Sequence, residues 1–217
     1  MRKLIISAIV GAASVSSANA AIITFEDLSA GTILTNLDQA DGGQTGDVSA
    51  DGGSDDAMIF DADNPTGGDS DLGIDGFGKV LIISEEGDTS DPDDNARGGT
   101  LTLNFDTPVT INDFSILDID RRETASFEFS FAGGGSTSFS VSGADIGDGE
   151  ARQLSDLVAM SVIDGLTNVA SLKLTLSGSG AFDNFDVTPV PLPAGLPLLL
   201  TGLAGLNFAR RRAVRER

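Results

Sequence analysis

Ser126-Phe127-Glu128-Phe129-Ser130-Phe131-Ala132-Gly133-Gly134-Gly135-Ser136-Thr137-Ser138-Phe139-Ser140-Val141-Ser142 decides the fold class. Phe127, Phe129 and Phe131 alternate with polar residues before three glycines, as do Phe139 and Val141 after them, the pattern of two half-buried strands joined by a tight turn. The phenylalanines at 127, 129, 131 and 139 read as core, on one face of that hairpin. Working outward, other short apolar runs are separated by Gly, Asp, Asn and Pro clusters, as in an antiparallel β-protein. Strands are predicted at 22–25, 57–60, 79–84, 100–105, 109–119, 126–131, 136–142, 157–163, 171–176 and 182–187, with almost no helix. Ala40 to Ala57, nearly all Asp, Gly, Ser and small residues, is expected to be a long loop or a partly disordered insert. The sequence shows no internal repeat. Ten short strands with long polar connections fit an all-β antiparallel sandwich of jelly-roll type with long acidic loops, inner faces apolar and outer faces rich in Ser and Thr. A barrel is the lesser option.

The two ends differ from this body. Met1-Arg2-Lys3, the short apolar run Leu4 to Val15 and Ala18-Asn19-Ala20 have the order of a secretory signal peptide, with cleavage expected after Ala20. The apolar run is shorter than the roughly 20 residues a membrane span takes. Near the C-terminus, Leu192 to Ala209 is uncharged and rich in Leu, Gly and Ala, and Arg210, Arg211, Arg212 and Arg215 follow. At about 1.5 Å per residue such a stretch just spans a bilayer, and the arginines are expected to stay cytoplasmic. The organisation read from sequence is therefore a signal peptide at 1–20, an acidic β domain at 21–188 and a C-terminal tail at 189–217, its single transmembrane helix at about 192–209.

Val190-Pro191-Leu192-Pro193-Ala194-Gly195, the apolar run and Arg210-Arg211-Arg212 together resemble a VPLPA-CTERM tail, a variant of the PEP-CTERM sorting signal. That resemblance implies processing by an exosortase, a membrane-embedded cysteine transpeptidase-like enzyme of Gram-negative bacteria, often encoded alongside exopolysaccharide and biofilm functions. The partners it implies are signal peptidase, the exosortase, the membrane through the C-terminal helix, and exopolysaccharide. The implied location is an inner-membrane-anchored intermediate, then the cell surface or medium. A plain C-terminal anchor is the simpler alternative.

Composition narrows the chemistry. The chain has no His, Cys, Trp or Tyr. Without them no Ser-His-Asp or Cys-His nucleophile, histidine or thiolate zinc site, or disulfide can be built. Of 33 acidic residues all but Glu216 lie between Ala21 and Val190, and seven of the 13 basic residues lie outside that span, leaving it a formal charge of −26. Such a surface repels nucleic-acid backbones and attracts divalent cations. An exported domain without disulfides relies on its core alone, or on core plus metal.

Candidate cation ligands lie in three places. Asp61-Ala62-Asp63-Asn64-Pro65-Thr66-Gly67-Gly68-Asp69-Ser70-Asp71 sets carboxylates at alternate positions among glycines, with Asp61, Asp63 and Asn64 as candidate ligands, although the closing Glu of an EF-hand is absent. Asp88 to Asn95 is a second acidic loop, equally readable as a solvated turn. The third place pairs Phe25-Glu26-Asp27 with Phe182-Asp183-Asn184. This resembles jelly-roll carbohydrate-binding modules, with "FE" early and "DN" late, and implies that Glu26 and Asp183 share a structural calcium joining first and last strands. Such modules stack sugars on exposed Trp or Tyr, both missing here. Ile23-Thr24-Phe25-Glu26-Asp27-Leu28, Met58-Ile59-Phe60-Asp61, Asn64-Pro65-Thr66-Gly67-Gly68-Asp69, Val80-Leu81-Ile82-Ile83-Ser84-Glu85 and Leu117-Asp118-Ile119-Asp120 are similar to a body type common among exported sorting-signal proteins, one that brings no assigned activity.

The leading expectation is a non-catalytic, calcium-stabilised envelope or extracellular-matrix protein. The alternative is a glycan-binding module or a glycosidase using a carboxylate pair, the one catalytic device this composition permits. Nothing in sequence selects Glu85 with Glu86, or Asp118 with Asp120, from solvated surface charge.

Overall fold

Met58-Ile59-Phe60 and Val80-Leu81-Ile82-Ile83 have no polar residue to turn toward water, so a sheet containing them must be covered on both faces. The computed structural model, which describes residues 19–51 and 55–191, shows how this is met. The strands are β1 (Ala21–Ile23), β2 (Gly46–Asp51), β3 (Ala57–Asp61), β4 (Lys79–Ile83), β5 (Gly99–Ile119), β6 (Thr124–Phe131), β7 (Ser136–Ser142), β8 (Gly147–Gln153), β9 (Val169–Leu176) and β10 (Ala181–Pro189). All their pairings are antiparallel.

The long strand β5 belongs to two layers. Its first half, Gly99–Asn104, lies between β2 and β9, and β9 continues to β6 and β7. Its second half, from Val109, pairs with β10 and then β8, and β10 continues to β4 and β3. The changeover falls at Asp106-Thr107-Pro108, where the β5–β9 register breaks between Asn104 and Val109. Proline donates no ladder hydrogen bond and is at home at such a break. Two strands are expected at 100–105 and 109–119; one bent strand is found, since neighbours on either side keep the chain extended through the break.

The layers face each other through phenylalanine. Phe127 of β6 meets Phe114 of β5 at 5.4 Å and Phe182 of β10 at 6.4 Å, both edge to face. With Leu101, Leu103, Ile59, Leu81 and Ile83 these rings form one continuous core. Offset or edge-on aromatic packing of this kind adds to simple area burial. The fold is thus a curled antiparallel sheet closed into a β-sandwich.

The outer faces differ. Over β2, the first half of β5, β9, β6 and β7 the polar residues of each strand point outward as expected. Over β3 and β4 they do not: Met58, Phe60, Val80 and Ile82 form a second buried cluster with Leu117, Ala181, Ala62 and Leu72, and Ile74 and Phe77 pack against it. The acidic segment between β3 and β4 is therefore the apolar lid of this layer as well as a charged loop.

Three further expectations are corrected. The segment 40–57 contains β2, whose Val48 and Gly46 are buried against β5; pairing with a ready-made strand outweighs a poor strand composition. Residues 157–163 form no strand: two single helical turns, Leu154–Leu157 and Met160–Ile163, are joined by Val158 and Ala159 and bury Leu154 and Ile163. Gly147–Gln153 is a strand, β8, that its charged sequence does not announce. The predicted hairpin of Ser126 to Ser142 is present, with Phe127 opposite Phe139.

Candidate metal centre

Alternation would place Phe182 and Phe185 on opposite faces of β10, yet both belong to the same core. The register shift between Asp183 and Asp186, with Asn184 at φ 51°, resolves the conflict. A bulge adds a residue and re-aims its neighbours. It also lies where β10 changes partner, since Ala181 and Phe182 pair with β4 while Phe185 to Val187 pair with β1. Asp183 is 1% exposed there, and its Oδ1 has no hydrogen-bond partner. Burial pushes its carboxyl up to about 7; the Asn184 amide opposes that rise and the Glu26 charge adds to it.

Glu26 follows β1 and reaches the start of β4, accepting from the Lys79 amide at 3.2 and 3.4 Å. Gly78, at φ 63°, leaves the space: a Cβ there would strike the Glu26 carboxylate. The structure thus brings Glu26 and Asp183 close enough for their charges to interact, at the seam between first and last strands.

The acidic loop after β3 behaves differently from its N-terminal spacing. Asp61 forms an ion pair with Lys79 at 2.8 Å and accepts from the Asp63 and Asn64 amides, each at 3.2 Å. Burial raises its pKa, but the Lys79 hydrogen bond and charge, with Asn64 and Asp63, outweigh burial and hold it below the usual range. Asp63 accepts from the Gly76 amide at 2.8 Å. Asp61, Asp63 and Asn64 therefore shape a turn.

The later residues of the same loop converge with other carboxylates. Asp69, Asp93 and Asp94 offer oxygens within 4.8 Å of one another, and so do Asp71, Asp118 and Asp148. Asp94, 3% exposed, accepts from the Gly180 amide just before β10, and its own amide donates to Asp69 at 2.8 Å. Asp118, 4% exposed, stands at φ 53° in the β5–β8 bulge and accepts from the Gly149 amide at 2.7 Å. Among the described residues the ion pairs are Lys79–Asp61 and Arg152–Glu150, so neither triad holds a basic partner.

Crowded carboxylates in a partly dry setting resist ionisation. Burial, the Asp69 charge and smaller contributions from Asp118 and Asp93 push Asp94 up to about 8 against the Gly180 amide. Asp93 is pushed to about 7 by burial, by a hydrogen bond with the Asp69 side chain and by the charges of Asp69, Glu85 and Asp91. Asp118 reaches about 6 through burial and the charges of Asp71, Asp148 and Asp120, with Gly149 opposing. Either protons or a hard cation can relieve such groups. Sequence reading singled out the loops that carry Asp69, Asp71, Asp93 and Asp94, but not their convergence. Asp148 carried no signal beyond being acidic.

The Val190 amide donates to the Pro108 carbonyl at 2.8 Å. Of the sorting and cleavage positions, Ala20, Val190 and Pro191 are described, while Ala18, Leu192, Pro193, Ala194, Arg210, Arg211 and Arg212 lie outside the described residues. So does the predicted transmembrane segment. No helix among the described residues is long and apolar enough to cross a membrane.

No protein-family profile matches the chain, and a comparison with curated proteins finds no match. Among solved structures, an F5/8 type C domain of a Bacteroides fragilis protein aligns with 67% of this chain and 91% of its own, at 12% identity and a TM-score of 0.32. A likeness at that level carries no inference about ligand or activity.

Proposed function

We propose that this chain is a non-catalytic exported protein of the bacterial envelope or its surrounding matrix, whose β-sandwich is stabilised by hard divalent cations, calcium first among them. The observation that carries the cation reading is the convergence of Asp69, Asp93 and Asp94 within 4.8 Å, with Asp94 nearly buried and no basic residue paired to them among the described residues. Oxygen-only ligand sets with several carboxylates suit calcium. The unpartnered Asp183 Oδ1, which the Glu26 charge reaches, supports a second cation position at the β1–β10 seam. Export and exosortase sorting rest on the two ends of the sequence, and the lack of His and Cys favours a non-catalytic role.

A cation that binds only the native state stabilises it by mass action, by about 2.7 kcal/mol at a hundredfold excess over Kd. The test is the melting temperature in calcium against sodium at matched ionic strength, on the wild type, Asp94→Asn and Asp183→Ala. A calcium-specific rise that shrinks in Asp94→Asn supports the triad; one that shrinks only in Asp183→Ala moves the ion to the seam. Equal responses to both salts reduce the effect to charge screening and overturn the reading.

A further inference from the structure

A strand at the edge of a sheet exposes unpaired N–H and C=O groups, and natural proteins blunt such edges with charge, cover, bulges or brevity. Among the described residues each edge but one is blunted. The β3 edge is covered by the segment Gly31 to Leu34, whose backbone exchanges hydrogen bonds with Ala57 and Ile59 at 2.8 to 2.9 Å. The β2 edge carries Asp47 and Asp51 and receives Thr35, whose carbonyl accepts from the Val48 amide at 2.9 Å. The β8 edge carries Asp148, Glu150 and Arg152, and β1 is three residues long. β7 alone has seven residues, no charge, no proline and an unbroken register with β6. Among the described residues nothing pairs with its outer side.

The charge around it is equally distinctive. In a body of formal charge −26, strands β6, β7 and β9 carry only Glu128 and Lys173, directly opposite each other in register. A second, equally acidic copy meets least repulsion at this edge. The backbone is also self-complementary. The Phe131 amide donates to Gly135, which makes Phe131 and Gly135 a hydrogen-bonded pair. By alternation, odd-numbered residues of β7 turn their backbone groups to β6, and Ser136, Ser138, Ser140 and Ser142 turn theirs outward. An antiparallel two-fold centred on Phe139 pairs Ser138 with Ser140 of a second copy and Ser136 with Ser142, using all four. It also brings together two half-buried Phe139 rings, each stacked on its own Phe129 at 5.5 Å.

We propose that β7 is a self-association edge through which two copies of this chain pair antiparallel about Phe139, joining their sheets. The chain has no cysteine, so crosslinking reports without background. Full-length Ser138→Cys and Ser140→Cys variants, mixed in detergent and oxidised, should give chiefly the mixed 138–140 disulfide. That pair's expected Cα separation of about 5.5 Å suits a disulfide. Ser49→Cys on β2 should not crosslink.

In sedimentation equilibrium the wild type should dimerise more strongly as salt rises. The double variant Ser138→Asp/Ser140→Asp sets carboxylates opposite each other and should lower the association constant about tenfold or more; Ser138 also lies opposite Glu128 of its own sheet, so the loss of fold stability is read separately from the melting temperature of the single Ser138→Asp variant. A wild type that stays monomeric at high salt overturns the proposal. So does a dimer that survives the aspartates unchanged, since association through the apolar tail would do the same, or crosslinking indifferent to position.

Discussion

The Asp94 carboxylate accepts a hydrogen bond from the Gly180 amide, tying the acidic loop before β5 to the residue that immediately precedes β10. Gly180 is held at φ 139°, and a Cβ there would stand 3.0 Å from the Leu117 carbonyl oxygen. Gly180→Ala should therefore cost about 1–3 kcal/mol through backbone strain, read as a lower urea midpoint at unchanged m-value.

Replacing the charge at Asp94 should act in opposite directions with and without calcium. In chelator at pH 8, Asp94→Asn keeps an oxygen for the Gly180 amide and removes a charge crowded by Asp69 and Asp93, so its melting temperature should exceed that of the wild type. In saturating calcium the order should reverse, because the amide is a weaker ligand than the carboxylate.

The pH dependence of the metal-free protein follows from the same carboxyls. Asp94 at about 8, Asp93 and Asp183 at about 7 and Asp118 at about 6 all lie above the unfolded-state value of 3.8. Between pH 4 and 8 the native state therefore holds more protons than the unfolded state, and stability falls as pH rises through the folded pKa values. Urea midpoints in chelator should decline from pH 5 to pH 8, and calcium, which competes with the protons, should flatten or reverse that slope.

Phe127, 1% exposed and touching Phe114, Phe182 and Phe139, joins the two layers. Phe127→Ala should lose about 3–5 kcal/mol, measured by equilibrium unfolding. Phe139→Leu, at the open edge of the same core, should lose much less.

Intact mass of the protein from envelope and medium fractions of its host tests the processing reading. The expected mature N-terminus is Ala21, and deletion of the sorting enzyme should leave a larger, inner-membrane form. A terminus at Met1 would refute the signal peptide, and unchanged size and location in the deletion strain would make the tail an ordinary anchor.

The local pattern of Ser126 to Ser142 was sufficient to determine a hairpin with its phenylalanines inward, because alternation and a glycine turn act over neighbouring residues. Composition alone excluded histidine, thiolate and disulfide chemistry, and the early Glu and late Asp pair was visible as Glu26 and Asp183. Tertiary structure decided the rest. It made β2 and β8 strands despite their composition, because a strand partner supplies the hydrogen bonds their side chains do not favour. It turned the loop after β3 into a lid, because β3 and β4 are apolar on both faces. It also brought Asp69 and Asp71 into carboxylate clusters, while Asp61 pairs with Lys79, which lies directly opposite it in the β3–β4 register. Carboxylates 24 or more residues apart meet only where the sheets bring their loops together, a coincidence in space that spacing along the chain does not encode.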